Sequence, residues 1–166
     1  MIIRKEQNSD IEAITDVTMA AFKNHPISRQ TEHFIIVALR QSNALTLSLV
    51  AEIEKQIIGH IAFSPVEITD GTSEWYGLDP VSVLPDYQKQ GIGKTLISKG
   101  LTYLINMGVK GCALVGSPDY YEKFGFKNYP EMIHEGIPQE VFLALPFNKK
   151  IPKGNVNFHE GFKAES

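Results

Sequence analysis

Leu78-Asp79-Pro80-Val81-Ser82-Val83-Leu84-Pro85-Asp86-Tyr87-Gln88-Lys89-Gln90-Gly91-Ile92-Gly93-Lys94-Thr95 decides the fold. It reads as a short apolar strand stopped by Pro85, a polar turn, and two glycines at the mouth of a helix running to about Met107. Glycine lets backbone approach a ligand closely, and a helix start offers N–H groups without intrahelical partners. Lys89 and Lys94 put positive charge where the helix dipole disfavours it. An anion docked there removes that conflict, and phosphate is the natural guess.

Three phosphate-binding motifs compete. A Walker P-loop needs G-x-x-x-x-G-K-[ST]. Gly93-Lys94-Thr95 supplies its end, but its first glycine falls at Gln88. A dinucleotide fingerprint G-x-G-x-x-G needs a third glycine where the chain has Leu96. What remains is Gln88-x-x-Gly91-x-Gly93, after a strand and before a helix.

That pattern resembles the acetyl-CoA pyrophosphate loop, [RQ]-x-x-G-x-[GA], of the GNAT superfamily of N-acetyltransferases. Further on, Tyr120-Tyr121-Glu122-Lys123-Phe124-Gly125-Phe126 resembles the family's second signature, Tyr-x-x-x-Gly-Phe. The layout resembles the family over residues 1–147, the specific motifs over 78–126, and the look is closest to the YhbS-like branch. The resemblance implies an α/β fold: a mixed, mostly antiparallel sheet, splayed at its centre, with helices on both faces. It implies a domain at 1–147 followed by a polar C-terminal extension at 148–166.

Composition agrees with one globular domain. The 166 residues are 43% hydrophobic and 21% charged, with a net charge of −3. A mildly acidic chain without basic runs suggests neither nucleic acid nor a membrane surface as partner. The single Cys112 excludes an internal disulfide, and in an apolar strand it reads as a buried thiol. The five histidines show no metal-ligand spacing, so no metal is expected. No apolar run approaches ~18 residues and Met1–Glu6 has no secretory character, which makes a cytoplasmic location the expectation.

The remaining elements follow from periodicity. Ile2–Arg4 reads as a strand. Ser9 and Asp10 offer caps for a helix with Ile14, Val17, Ala21 and Phe22 on one face, stopped by Pro26. A second helix over 31–41 carries Phe34, Ile35, Ala38 and Leu39. Leu47–Ile53, Ile57–Phe63 and the strand ending at Leu84 form an antiparallel meander, because their connections are too short for crossovers. The helix after the glycines carries Ile97, Leu101, Leu104 and Ile105. Within it, Gly100 costs about 1 kcal/mol against Ala unless close packing needs it. Cys112–Val115 then lies parallel to the strand before the loop if the crossover is right-handed. Ser117 caps a short helix with Pro118 at its first position, Gly125 ends it, and Glu140–Phe147 is a late strand.

By the resemblance, Gln88, Lys89, Gln90, Gly91, Ile92, Gly93, Lys94 and Thr95 anchor the acetyl-CoA pyrophosphate. Val81, Ser82 and Val83 are the implied backbone partners of pantetheine, and the Val83 N–H points at the thioester oxygen. Pro80 breaks the ladder where the sheet opens. Tyr121 matches the acid that protonates the departing thiolate, while Tyr120 and Phe124 line the cofactor groove. The activity implied is acetyl transfer to a primary amine of a small molecule or peptide, by direct attack in a ternary complex. An acyl-CoA-binding regulatory module on the same fold is the alternative. The family's glutamate base has no counterpart in Cys112-Ala113-Leu114-Val115, so Glu74, Asp79, His60, His25 and a water relay stay open. Acceptor choice is expected from residues 22–32 and 131–138. A homodimer through an exposed strand is compatible with the fold.

Overall fold

The computed structural model describes all residues, 1–166. Its strands are β1 (Ile2–Lys5), β2 (Leu47–Ile53), β3 (Gln56–Ile68), β4 (Trp75–Val83), β5 (Gly111–Val115), β6 (Met132–Ile133), β7 (Phe142–Pro146) and β8 (Gly154–Phe158). Its helices are α1 (Ile11–Phe22), α2 (Glu32–Gln41), α3 (Ile92–Asn106) and the short α4 (Pro118–Tyr121). The main sheet runs β1-β2-β3-β4-β5-β7, with β8 pairing both β3 and β6. Only β4–β5 and β6–β8 are parallel. The α3 crossover makes the first of these possible, because a parallel neighbour cannot be reached by a hairpin. No helix is long and apolar enough to cross a membrane.

The middle strands are buried on both faces. Leu47, Leu49, Ala51, Ile61 and Phe63 pack under α3 with Leu96, Ile97 and Leu104, while Val50 and Ile57 pack with Ile14, Val17 and Ile36 of α1 and α2. Such strands read as continuous apolar runs. The polar alternation seen in β2 is therefore not a solvent face. Ser48 is buried, its hydroxyl 2.8 Å from His60 Nε2.

Several local expectations are corrected. In α2 the buried side chains are Ile35, Ile36 and Leu39, and Phe34 stays half-exposed. In α3, Leu96 takes the core position and Ile105 faces solvent at 54% exposure. Neither Asp10 nor Ser117 caps its helix with its side chain. The Asp10 carboxylate instead takes two bonds from Arg4, at 2.7 and 3.0 Å, and the Gln7 N–H. Arg4 also holds Glu52 at 3.0 Å, so one guanidinium ties β1, β2 and the entry to α1. Residues 148–166 do not form an appendage. Val156 is fully buried, and β8 lies antiparallel to Val66–Ile68 of β3.

Gly100 has the packing reason its position in a helix demands. A Cβ there would sit 2.5 Å from the buried Phe63 ring. Gly100→Ala is expected to lower stability by about 1–3 kcal/mol, overriding the propensity gain of about 1 kcal/mol. Urea unfolding measures it, and a stabilised variant would show that the Phe63 ring yields freely.

Candidate active site

β4 is paired to β5 over only three residues, Trp75↔Gly111, Tyr76↔Cys112 and Gly77↔Ala113. Beyond them the strands part. β4 stays on β3 to Val83, and β5 stays on β7 to Val115. On β4 the parting coincides with a bulge: Ile61 opposes Val81 while Phe63 opposes Leu78, so Asp79 and Pro80 together stand opposite the single residue Ala62. Pro80 has no N–H to give a ladder.

The backbone beyond the bulge alternates in direction. Leu84 N–H donates to the Ile58 carbonyl at 2.8 Å, so Gly59↔Val83 is a pair without mutual bonds and His60↔Ser82 a bonded one. Val81 and Val83 therefore turn their peptide groups into the gap. Ser82 does not: its peptide groups face β3, and its buried hydroxyl has no partner. The implied trio is thus a duo.

The glycine loop stands at the gap's open end. Gln88 Nε2 donates to the Val83 carbonyl at 2.9 Å and ties the loop to β4. Lys89 and Gly91 adopt left-handed φ angles of 62° and 85°. Backbone N–H groups of Lys89, Gln90, Gly91, Ile92, Gly93 and Lys94 donate to no protein acceptor, six in succession at the positive end of α3. No acid occupies the first turn of the helix. Lys89, Gln90, Lys94 and Thr95 are exposed there, the Thr95 hydroxyl donating back to the Gly91 carbonyl at 2.8 Å. Ile92 offers only its N–H, since its side chain is in the core.

The aromatic signature faces the same gap. A Cβ on Gly93 would lie 3.7 Å from the Tyr120 hydroxyl. Tyr121 packs edge-on to Tyr120 at 4.9 Å between ring centres, and its ring lies where a Cβ on Gly116 would come within 2.5 Å. Phe124 is half-buried against both tyrosines, at 5.9 and 6.2 Å. Burial, then Tyr120 and the charge of Asp79, raises the Tyr121 phenol above its usual range.

Across the gap lies a cleft of about 620 Å³. It is lined by Leu78 and Asp79 of β4, by Val115 of β5, and by His134, Asn157, Phe158, His159, Phe162 and Lys163. Asp79 is half-buried, and its side chain lines the cleft. Its carboxyl is pushed up to about 7, by desolvation first and by Glu32 second. No cation pairs with it.

Of the four base candidates only Asp79 reaches the cleft. Glu74 is exposed beside Lys110 at 3.5 Å. His60 is fully buried under α1 and α2, with a pKa of about 3 from desolvation. His25 is exposed, its Nδ1 accepting the Ile27 N–H at 3.3 Å. Of the two expected acceptor segments, 131–138 contributes His134, and 22–32 contributes the field of Glu32. Sequence reasoning placed Asn157–Lys163 in the polar C-terminal extension and gave it no part in the site. Cys112 is buried, its thiol pushed up by desolvation.

A bulged strand opening beside a glycine loop and a tyrosine signature defines a class, and comparison agrees. The sequence model of the Acetyltransferase (GNAT) family matches residues 11–126. The chain belongs to this family. It is 34% identical over 128 residues, 76% of its length and 74% of the relative's, to the uncharacterized N-acetyltransferase YhbS of Escherichia coli K12. Among solved structures, a GNAT family acetyltransferase from Brucella melitensis in complex with acetyl-CoA is 47% identical. The match covers 97% of each chain with a TM-score of 0.87. The E. coli YhbS structure in complex with CoA superposes equally, TM-score 0.87, at 28% identity over 99% of this chain and 93% of that one.

The lone Asp79 carboxyl makes stability depend on pH. Its folded pKa lies above the ~3.9 of an unfolded aspartate, so the folded state holds more protons between the two values. Stability contributed by Asp79 is full below about 4 and falls as pH rises through about 7. Urea midpoints of wild type against Asp79→Asn are expected to diverge over that window, the variant gaining relative stability toward pH 8. Parallel curves would show an ordinary, solvated carboxylate.

Proposed function

We propose that the protein transfers an acetyl group from acetyl-CoA to a primary amine, by direct attack within a ternary complex. The observation that carries this is the gap between β4 and β5. On its loop side it presents six unpartnered N–H groups, and at its centre the inward peptide groups of Val81 and Val83. On its far side lies a cleft lined in part by Asp79. The fit to acetyl-CoA rests on those groups: a pyrophosphate matches the N–H cradle, and a peptide-like pantetheine matches the edge of β4.

The residues divide the work as follows. Lys89–Thr95 hold the pyrophosphate, chiefly through backbone N–H groups, with Lys89 and Lys94 adding charge. Tyr120 and Phe124 wall the groove. The Val83 N–H stabilises the oxygen on which negative charge develops. Asp79 takes a proton from the substrate ammonium, and the neutral amine nitrogen attacks the thioester carbonyl carbon. As the tetrahedral species collapses, the C–S bond breaks and the Tyr121 hydroxyl gives its proton to the sulfur. The nitrogen's second proton leaves in turn and restores the tyrosine. Net, one amine and one thioester become one amide and one thiol, and the ammonium proton goes to solvent through Asp79. No Ser or Cys lines the cleft, which supports direct attack over a covalent acyl-enzyme.

The two titrations favour these roles. A base needs a pKa near the working pH, and about 7 serves. A phenol raised above 10 stays protonated and so stays an acid. The test is free-thiol release from acetyl-CoA with a panel of amines. Tyr121→Phe is expected to lower kcat about 10²-fold or more, with the acetyl-CoA KM nearly unchanged. Binding of CoA without turnover of any amine would favour a regulatory module, and failure to bind it would sink both readings.

Asp79→Asn tests the base separately. Wild-type kcat/KM is expected to rise with pH and level off above about 7, since the base works only when ionised. The variant is expected to lose that limb and about 10²-fold in rate. An unchanged limb would move the base elsewhere.

A further inference from the structure

The C-terminal segment, not the family segment, builds most of the wall facing Asp79. His134, Asn157, Phe158, His159, Phe162 and Lys163 all lie beyond residue 126, where the family match ends. We infer that this segment makes the cleft selective for a small primary amine carried on a flat ring, with an anionic group at the opposite end. The inference rests on the transfer reading above and names its acceptor.

Three observations carry it. First, the β4 side of the lining is acidic and unsatisfied: the Asp79 carboxyl has no hydrogen-bonding or ionic partner, and the field of Glu32 adds to it. An ammonium group is what such a carboxyl binds. Second, the walls are aromatic. The Phe158 ring stands edge-on to His134 at 4.9 Å and tilted to Phe162 at 5.4 Å. Gly77 exists to admit Phe158, since a Cβ there would lie 2.4 Å from its ring. Flat faces suit a ring and add attraction for a cation.

Third, the turn after β8 brings positive and donating groups to the lining. Lys163 is exposed on the 3₁₀ turn Glu160–Lys163, without a carboxylate partner. His159 Nδ1 accepts the Gly161 N–H at 2.9 Å, so the neutral ring carries its proton on Nε2 as a donor. His134 is fixed in the opposite sense. Its Nδ1–H donates to the Val156 carbonyl at 2.9 Å, leaving Nε2 as an acceptor. An acid from β4, rings from β8 and the turn after it, and donors from that same turn give the cleft groups of opposite character on different elements. A volume of about 620 Å³ suits a small molecule.

The probes are benzylamine and 4-(aminomethyl)benzoate, which differ only in the far carboxylate, together with an alanine-terminated hexapeptide. Each is titrated by calorimetry into CoA-saturated wild type, Lys163→Glu and Phe162→Leu, with acetyl-CoA affinity as a separate measurement. The benzoate is expected to bind wild type more tightly than benzylamine and the peptide. Lys163→Glu is expected to weaken the benzoate roughly threefold to tenfold and so reduce its advantage over benzylamine. Phe162→Leu is expected to weaken both ring amines roughly threefold to tenfold, with acetyl-CoA affinity retained. Equal binding of the two ring amines, preference for the peptide, or no ring-amine binding to the CoA-loaded protein would overturn the inference while leaving acetyl transfer standing. Loss of acetyl-CoA binding by wild type would instead overturn the underlying function.

Discussion

Everything at the site depends on how β4 leaves β5. Trp75 closes one end of the opening: it is buried, and Gly111 lets its ring lie flat on the neighbouring backbone, where a Cβ would sit 2.3 Å away. Two residues later Phe158 presses against Gly77, and then the bulge at Asp79-Pro80 removes a residue of register and an N–H. Each strand keeps its other neighbour, β3 or β7, so the sheet parts without unravelling. Peptide groups turned into the opening cost free energy if left dry and unpaired. The fold tolerates that cost because α3 and the β5–β7 ladder hold the two halves independently.

The same enclosure governs the chemistry. Removing water from the centre of the sheet raises Asp79 and Tyr121 together, yet with opposite consequences. A carboxyl raised to about 7 can gain or lose a proton under ordinary conditions. A phenol raised from 10 is held in its donating form. On the proposed reading, one physical effect thus supplies an acceptor on one side of the opening and a donor on the other, with no histidine needed. His60, the obvious candidate by residue type, fails for the same reason: complete burial drives it far below neutrality.

What the sequence disclosed follows from what each motif depends on. The glycine loop was legible because its chemistry belongs to the backbone, and Gln88, Gly91 and Gly93 mark backbone positions. Tyr121 stood out because Gly125 and Phe126 follow it at the spacing of the resembled signature. Ser82 was grouped with Val81 and Val83 because three consecutive strand residues were treated alike, whereas alternate peptide groups face opposite neighbours. Asp79 could not be separated from Glu74, since a bulge changes which side a residue faces and no local pattern announces its register. The tail was unreadable for a simpler reason. Gly154-Asn155-Val156-Asn157-Phe158 offers two apolar residues between polar ones, too short a period to outweigh a polar composition. Only the long-range pairing with Val66–Ile68 makes it a strand.

An unpaired strand edge is ordinarily a hazard, because another chain can add to it and propagate a sheet. Here the edge is interior. The Trp75–Gly111 contact closes one end, β5 lies opposite, and the glycine loop guards the mouth, so no second strand has room to align along it. On the proposed reading the opening takes a single thin, amide-bearing chain through the groups of Val81 and Val83, with its anionic head at the loop. The geometry that prevents aggregation is therefore also the geometry that selects the ligand. Recognition through backbone groups needs few side chains, which is why residues such as Lys89 and Gln90 can be exposed while the site stays defined. Selectivity for the second substrate has to come from elsewhere, and β8 with the turn after it is the part of the chain placed to provide it.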